Sequence, residues 1–393
     1  MAKFQIFIYL CMSIFWNGRM NEFESGMKTL KLKPQEEMLL ALLRAALHQQ
    51  EVELACFLQA TAENWLQCYL LAVRQGVAAL AWEGVERLPV ELCPPLDVKL
   101  SWALVEKKQV AKYRKHCHVV GELTQLYAQH GIATMVLKGV GLSRLYPVPA
   151  HRVGGDIDIF TYSTDKTRLT DEEANLLVDK LMQERGMEVT RSTHGKDSHF
   201  VFHQFMIENH RFFFETWRFP MAIEVEQWLE EHIQSQQAHL MDGEWVIHVP
   251  SVAFECIYVP YHAALHAGIG LSLHHLCDLA VLFKQGGDLP MELNNRRFFY
   301  PVKVFAQLCN QYLGTEVAVD GKDEISDEIM KEILRTPYQS EIPYANAIQS
   351  FIYKTRRTLH CMRLMRRLLK PSLAEMVLPL LKIIISQPGR LIR

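Results

Sequence analysis

The sequence predicts an α+β protein, a small mixed β-sheet core flanked by N-terminal and C-terminal helical regions. Three observations predict it. From Gln35 to about His130 apolar residues recur three and four positions apart, the period of amphipathic helices. From Gly131 to Phe214 the pattern becomes short apolar runs and two-residue alternation, the period of strands. After Pro250 the helical period returns.

In the first region the helical runs are Gln35–Gln49, Trp65–Leu71 and Val98–Gln129, and Pro89, Pro94 and Pro95 divide the region in two. Ile132–Leu137 reads as a buried strand ended by the turn Lys138-Gly139. A short helix follows over Val140–Tyr146, then a loop with Pro147 and Pro149, then a strand over Asp156–Thr161. Asp171–Arg185 has an acidic first turn and a basic last turn, suited to the helix dipole, and Gly186 stops it. Ser198–Phe205 and Met206–Phe214 read as two further strands, with Phe212, Phe213 and Phe214 as strand core.

A chain of 393 residues that is 49% hydrophobic buries a substantial core and accommodates two or three domains. The divisions read as 28–130, 131–249 and 250–393, preceded by residues 1–27 as a start-site extension or signal-like segment. In that segment Lys3 precedes an apolar run, Phe4–Trp16, that is too short to span a bilayer comfortably and lacks a small-x-small cleavage site. Met376–Ile385 is apolar but holds Pro379 and Lys382, so it reads as a buried or partner-facing helix and no stable membrane span is expected. Nine cysteines without a C-x-x-C pair suit reduced thiols in the cytoplasm. The formal net charge of -2 gives no overall pull toward nucleic acid or anionic membrane, so any polyanion site must be local.

Chemistry concentrates in the middle region. In Asp156-Ile157-Asp158-Ile159 the strand period puts both carboxylates on one side, about 7 Å apart at their backbones. Carboxylates converging in this way repel unless a cation joins them, and hard oxygen donors suit magnesium or manganese. Such chemistry needs a third carboxylate. Glu208, which shares a strand face with His210, is the first candidate, and Glu224 and Glu226, alternating with Ile223 and Val225, compete. Lys138-Gly139-Val140-Gly141 at a strand-to-helix turn offers backbone donors to phosphate, with Lys138 and Arg152 as charge partners of a triphosphate.

In their order these residues resemble the uncharacterised nucleotidyltransferases of the polymerase-beta-like superfamily. The resemblance rests on Leu137-Lys138-Gly139, Leu145-Tyr146, Pro147, Arg152 and Gly155-Asp156-Ile157-Asp158-Ile159, then Glu208-Asn209-His210, His262 with His266, and His275 with Asp278, within residues 35 to 290. It implies a nucleotidyltransferase core in which Asp156, Asp158 and Glu208 hold magnesium or manganese. Lys138, Gly139, Ser143, Arg152 and Gly155 would bind an NTP. The implied reaction moves a nucleoside monophosphate to a small-molecule or macromolecular acceptor by a two-metal mechanism, with nucleic acid not the favoured partner. The usual Gly-Ser of the phosphate-binding turn is here Lys138-Gly139, followed by Val140, so that Ser143 stands as the substitute hydroxyl. A non-catalytic module that binds a nucleotide or a partner, and an RNA-modifying nucleotidyltransferase, are the alternative readings.

Secondary candidates are His210, His262, His266 and Asp278. His262 and His266 share a helix face and with Asp278 offer a metal set, although hydrogen-bonded core histidines partnered by Asp278 are the simpler reading. The stretch holding Lys354, Arg356, Arg357, Arg363, Arg366, Arg367 and Lys370 reads as an amphipathic helix with a solvated basic side. No Gly-x-Ser-x-Gly, Walker loop or dinucleotide fingerprint is present. Asp156→Ala and Asp158→Ala are each expected to abolish turnover with the fold intact, checked by an activity assay beside a melting curve.

Overall fold

The computed structural model describes residues 30–233, 236–241, 243–268, 270–285, 290–319, 325–335, 360–372 and 374–375. Residues 1–27, Met376–Ile385, Lys354, Arg356 and Arg357 lie outside the described residues.

Strands β1 (Ile132–Val136) and β2 (Ile157–Ser163) pair antiparallel, with Val136 opposite Ile159. A short β3 (Thr190–Arg191) pairs with β4 (Asp197–Phe202), which forms a hairpin with β5 (Phe205–His210). The hairpin turns at His203 and Gln204, both at positive φ, as a tight two-residue turn demands. β5 then lies parallel to β2, with Glu208 in register with Asp158. A second hairpin, β6 (Gln236–Met241) and β7 (Trp245–Pro250), joins the other side of β1 through a parallel β1–β7 contact. The seven-stranded mixed sheet runs β3-β4-β5-β2-β1-β7-β6. The β6–β7 hairpin extends the sheet beyond the strands that the sequence predicts.

The helices are α1 (Pro34–His48), α2 (Ala62–Arg74), α3 (Ala78–Val85), α4 (Leu96–Ala128), α5 (Asp171–Glu184), α6 (Ile223–His232), α7 (Val252–His266), α8 (Leu273–Gln285), α9 (Tyr300–Leu313) and α10 (Ile325–Arg335). Their ends follow local chemistry. Thr61 and Asn64 cap α2 reciprocally, as Thr170 and Glu173 cap α5, and Pro34 opens α1 at a position where its missing N–H costs nothing. Among the described residues no helix is long and apolar enough to cross a membrane.

Alternation along β2 sorts the protein into layers. Ile157 and Ile159 pack under α4 and α5 in one core with Val120, Leu123, Val178 and Met182. Asp158, Phe160 and Tyr162 point the other way, where Phe160 and Tyr162 meet a larger helical core. That core joins the two flanking regions: Leu39 and Leu43 of α1 share it with Leu276 of α8, Phe305 of α9 and Ile329 of α10. Gln75 ties them further, accepting from the Leu273 N–H and donating to the Ile333 carbonyl. The helical arms are therefore one body facing the sheet, and Asp158 opens into the space between.

Within this body α1 and α3 cross with almost no spacing. A Cβ on Gly84 would stand 2.6 Å from the Leu42 carbonyl oxygen and 2.8 Å from its Cα. Both obstacles are backbone, so relief requires the helices to separate. Gly84→Ala is expected to lower the unfolding free energy by about 1–3 kcal/mol, read as a lower urea midpoint.

Candidate active site

The site is built where β1 ends. Gly139 adopts φ +61°, a left-handed conformation open to glycine at little cost, and the chain turns there into a 3-10 helix, Gly139–Leu145. Lys138, just before the turn, places its Nζ 2.8 Å from Asp158 Oδ1. The Leu137 N–H donates to the Asp158 carbonyl at 3.1 Å, holding the end of β1 against β2 at this level.

Asp158 is 2% exposed, so its charge needs partners. The buried His210 supplies the second: its Nε2 lies 2.9 Å from Asp158 Oδ1 and 3.5 Å from Glu208 Oε2. The pattern continues outward, with His199 Nδ1 3.6 Å from Glu208 Oε1, His199 Nε2 2.9 Å from Asp197 Oδ1, and Lys196 Nζ 2.9 Å from Asp197 Oδ2. Acid and base thus alternate across the ends of three neighbouring strands.

Burial alone would lift the Asp158 pKa, but Lys138 and His210 overcome it and hold the carboxyl well below its usual range. The hydrogen bond from His210 likewise lowers Glu208, whereas enclosure against the cleft and the charge of Asp158 raise Asp156. Lys138 and His210 move the opposite way: burial favours their neutral forms, and the surrounding carboxylates outweigh it and raise both. Ligand atoms of Asp158, Glu208 and His210 all lie within 4.8 Å of one another, so this group could hold a metal ion. Asp156, immediately before β2, adds an accessible carboxylate at the rim.

The cleft in front of these groups has a volume of about 690 Å3. Its far wall comes from α7 and α8, where the tilted rings of His262 and His266 have centroids 4.4 Å apart, His266 and His275 stand 5.8 Å apart, and His274 and His275 3.9 Å apart. Burial keeps these imidazoles neutral, with His266 and His274 pushed down to about 4. Ser272 Oγ bonds His274 Nδ1 at 2.6 Å and His275 Nδ1 at 3.0 Å. On the floor, Arg152 grips Asp278 through two bonds, Nε to Oδ1 at 3.1 Å and Nη2 to Oδ2 at 2.8 Å, and the Tyr146 hydroxyl donates to the same Oδ1 at 2.6 Å. Gln109 and Lys112 of α4 donate to the carbonyls of Arg152 and Gly154 and fix this loop.

The structure brings most of the sequence candidates together. Lys138, Gly139, Arg152, Gly155, Asp156, Asp158, Glu208, His262, His266 and Asp278 all line the cleft. His210 stands behind it, 1% exposed. Ser143 lies outside the lining, buried, and its hydroxyl donates to the Val140 carbonyl at 2.6 Å. Asp278 partners Arg152 and Tyr146, not His262 or His266 as the simpler reading of the histidines has it. The competing third carboxylates fall away, because Ile223–His232 is helix α6 and not a strand. Glu224 pairs with Arg296 at the surface, and Glu226 accepts the Phe213 and Phe214 N–H groups at 2.8 Å each. Lys196 and His274 line the cleft without having been singled out by sequence; Lys196 shows only as a charged residue at the mouth of a strand, and His274 only as the neighbour of His275.

A family model described as uncharacterised nucleotidyltransferase matches residues 61–298. No curated protein matches the chain. Among solved structures, the crystal structure of an antigenic nucleotidyltransferase-like protein from Paracoccidioides brasiliensis aligns at 12% identity, covering 51% of this chain and 93% of that chain with a TM-score of 0.35.

The burial of Asp158 changes what its replacement does. Asp156→Ala alters an accessible rim residue and is expected to shift stability by less than about 0.5 kcal/mol. Asp158→Ala leaves Lys138 and His210 facing one another without their shared carboxylate and is expected to cost about 3–5 kcal/mol. Chemical denaturation of the two variants side by side checks the difference, and equal stabilities would show that the pairs around Asp158 contribute little.

Proposed function

The chain belongs to the family of uncharacterised nucleotidyltransferases, and from that premise we propose that its cleft transfers a nucleoside monophosphate from an NTP to an acceptor in the cytoplasm, releasing pyrophosphate. The single observation that carries the reading is the register of β2 and β5, which sets Asp158 beside Glu208 at the strand ends with Asp156 at the rim. Such a group of carboxylates is costly without positive charge, and within this structure the Lys138 ammonium and His210 already supply part of it. Hard oxygen donors of this kind fit magnesium or manganese, with Asp156, Asp158 and Glu208 as the residues that would hold it. Bound there, such ions would offset the charge of the triphosphate and of an in-line displacement.

The protein groups take defined parts in this reading. Lys138 meets the phosphates as a compact charge. Arg152 lines the same cleft, fixed by Asp278, which Tyr146 also holds, and is the second residue assigned to the phosphates. Gly139 and Gly155 leave room for close approach of the nucleotide, and nothing stands within 4 Å of where a Gly155 Cβ would be. In this reading the acceptor oxygen attacks the α-phosphorus, the bond to the bridging oxygen of pyrophosphate breaks, and Glu208 takes the acceptor proton. His210 holds Asp158 and Glu208 in their orientations.

One observation favours a second reading, a module that binds a nucleotide without transfer. Ser143, the substitute for the missing Gly-Ser hydroxyl, donates to Val140 and does not line the cleft. The two readings separate by titrating each of the four NTPs with and without magnesium and following pyrophosphate release with a panel of acceptors. The transferase reading expects magnesium-dependent binding and release, with Asp156→Asn slowing release at least about a hundredfold, since losses of tenfold to a hundredfold already follow changes one shell further from a metal. Binding without release for every acceptor selects the binding module, and no binding of any NTP overturns both.

A further inference from the structure

The formal net charge of -2 leaves room for a polyanion site only as a local feature, and α4 carries one. Between Lys107 and His118 this helix has five lysines and arginines and no acidic residue. Trp102 and Tyr113 anchor the buried side of the helix. Helical spacing then directs Lys107, Lys108, Arg114, Lys115 and His118 to the opposite side, where all are exposed. No ion pair is formed by Lys107, Lys108, Arg114 or Lys115 among the described residues, whereas other exposed lysines are paired, as Lys180 is with Glu184 on α5. Glu122, which meets both His118 and His203, closes the stripe at its C-terminal end.

The flank of this face holds the loop that lines the cleft. Gln109, Lys112 and His116, on the flank of the same helical turns, bond the carbonyls of Arg152, Gly154 and Gly155, the loop that lines the cleft. Beside Arg114, Lys115 and His118 lies an open groove of about 450 Å3 whose other side is the β4–β5 turn, His203, Gln204 and the half-buried ring of Phe205. A row of unpaired cations with an aromatic ring set into an open groove matches a sugar-phosphate chain with bases to stack.

We propose that the basic face of α4 binds a nucleic-acid strand, RNA in the first instance, and leads its end into the cleft as the acceptor. That the strand is the acceptor rests on the transferase reading above; that the face binds it does not. The exposed leucines Leu96, Leu100 and Leu104 extend the same side of α4 toward its N-terminus, so an anionic membrane is the competing occupant. Arg114, Lys115 and His118 border the groove and Lys112 holds the cleft loop, which favours the strand, since the leucines line neither the groove nor the cleft.

The test uses the full chain and its variant Lys107→Gln, Lys108→Gln, Arg114→Gln, Lys115→Gln. Fluorescence anisotropy follows a labelled single-stranded RNA as salt is raised, thermal melts of both proteins report that the variant is folded, and magnesium-NTP titration reads the cleft separately. Four phosphate contacts predict a slope of about -3 in log affinity against log salt, reduced to near zero in the variant together with at least about a tenfold loss of affinity. NTP binding is expected to be unchanged. An unaltered slope in the variant, or no RNA binding by the parent at low salt, overturns the proposal. So does capture by phosphatidylserine vesicles through these same residues in the absence of RNA binding. Loss of NTP binding in both proteins with salt-dependent RNA binding intact would leave the surface standing and reject the transferase reading alone.

Discussion

Like charges in one small volume set the terms for the middle of this protein. Asp158 and Glu208 face each other on adjacent strands, and Asp156 stands two residues before the first. Without compensation that arrangement would push the strand ends apart or force protonation. Lys138 and His210 both approach the same oxygen of Asp158, and each arrives there because of backbone geometry: Lys138 through the Gly139 turn and the β1–β2 pairing, His210 through the β2–β5 register. A shift of one residue in either pairing would send the charged face into the core under α4 and α5. The electrostatics and the sheet register therefore specify the same structure.

The second half of the cleft depends on the helical body. Because α1–α3 and α7–α10 share one core, the α7–α8 wall is held at a fixed place opposite the sheet. The Arg152–Asp278–Tyr146 bonds span that space and join the loop before β2 to α8. Arg144 and Glu255, a buried pair between the 3-10 helix and α7, make a second tie. The cost of burying such pairs is met by bidentate geometry, which also specifies a single relative position of the two halves.

Much of this was legible in the sequence, for reasons that can be given residue by residue. The Asp-x-Asp alternation and the Glu208–His210 spacing report directly which side chains share a strand face, and α5 shows its boundaries through an acidic first turn and a terminal glycine. What stayed hidden required either a third dimension or a choice between periods. Ala222–Glu226 alternates like a strand over five residues, yet Ala222, Val225 and Leu229 are buried at helical spacing, and that longer period decides the outcome. Ser143 has the expected chemistry, but the direction of its hydroxyl is set by the tight 3-10 turn. The partners of Asp278 lie 126 and 132 residues away, and no local pattern announces them. In the segment 360–372, Leu364 and Leu368 are buried as an amphipathic helix requires, while Arg367 engages Glu328 and Lys370 lies over the Tyr300 ring. The basic run on α4 is visible as composition, but its exposure follows only from the burial of Trp102 and Tyr113 on the other side.

In the function proposed here, the carboxylates at the ends of β2 and β5 form a divalent-cation site facing a nucleotide. Anomalous diffraction at the manganese edge, from crystals grown with manganese and a non-hydrolysable NTP analogue, locates the ion and the phosphates together. Anomalous density bonded to oxygens of Asp156, Asp158 and Glu208 and to the analogue's phosphates is expected. Manganese bound elsewhere, or phosphates seated away from these carboxylates, would contradict it.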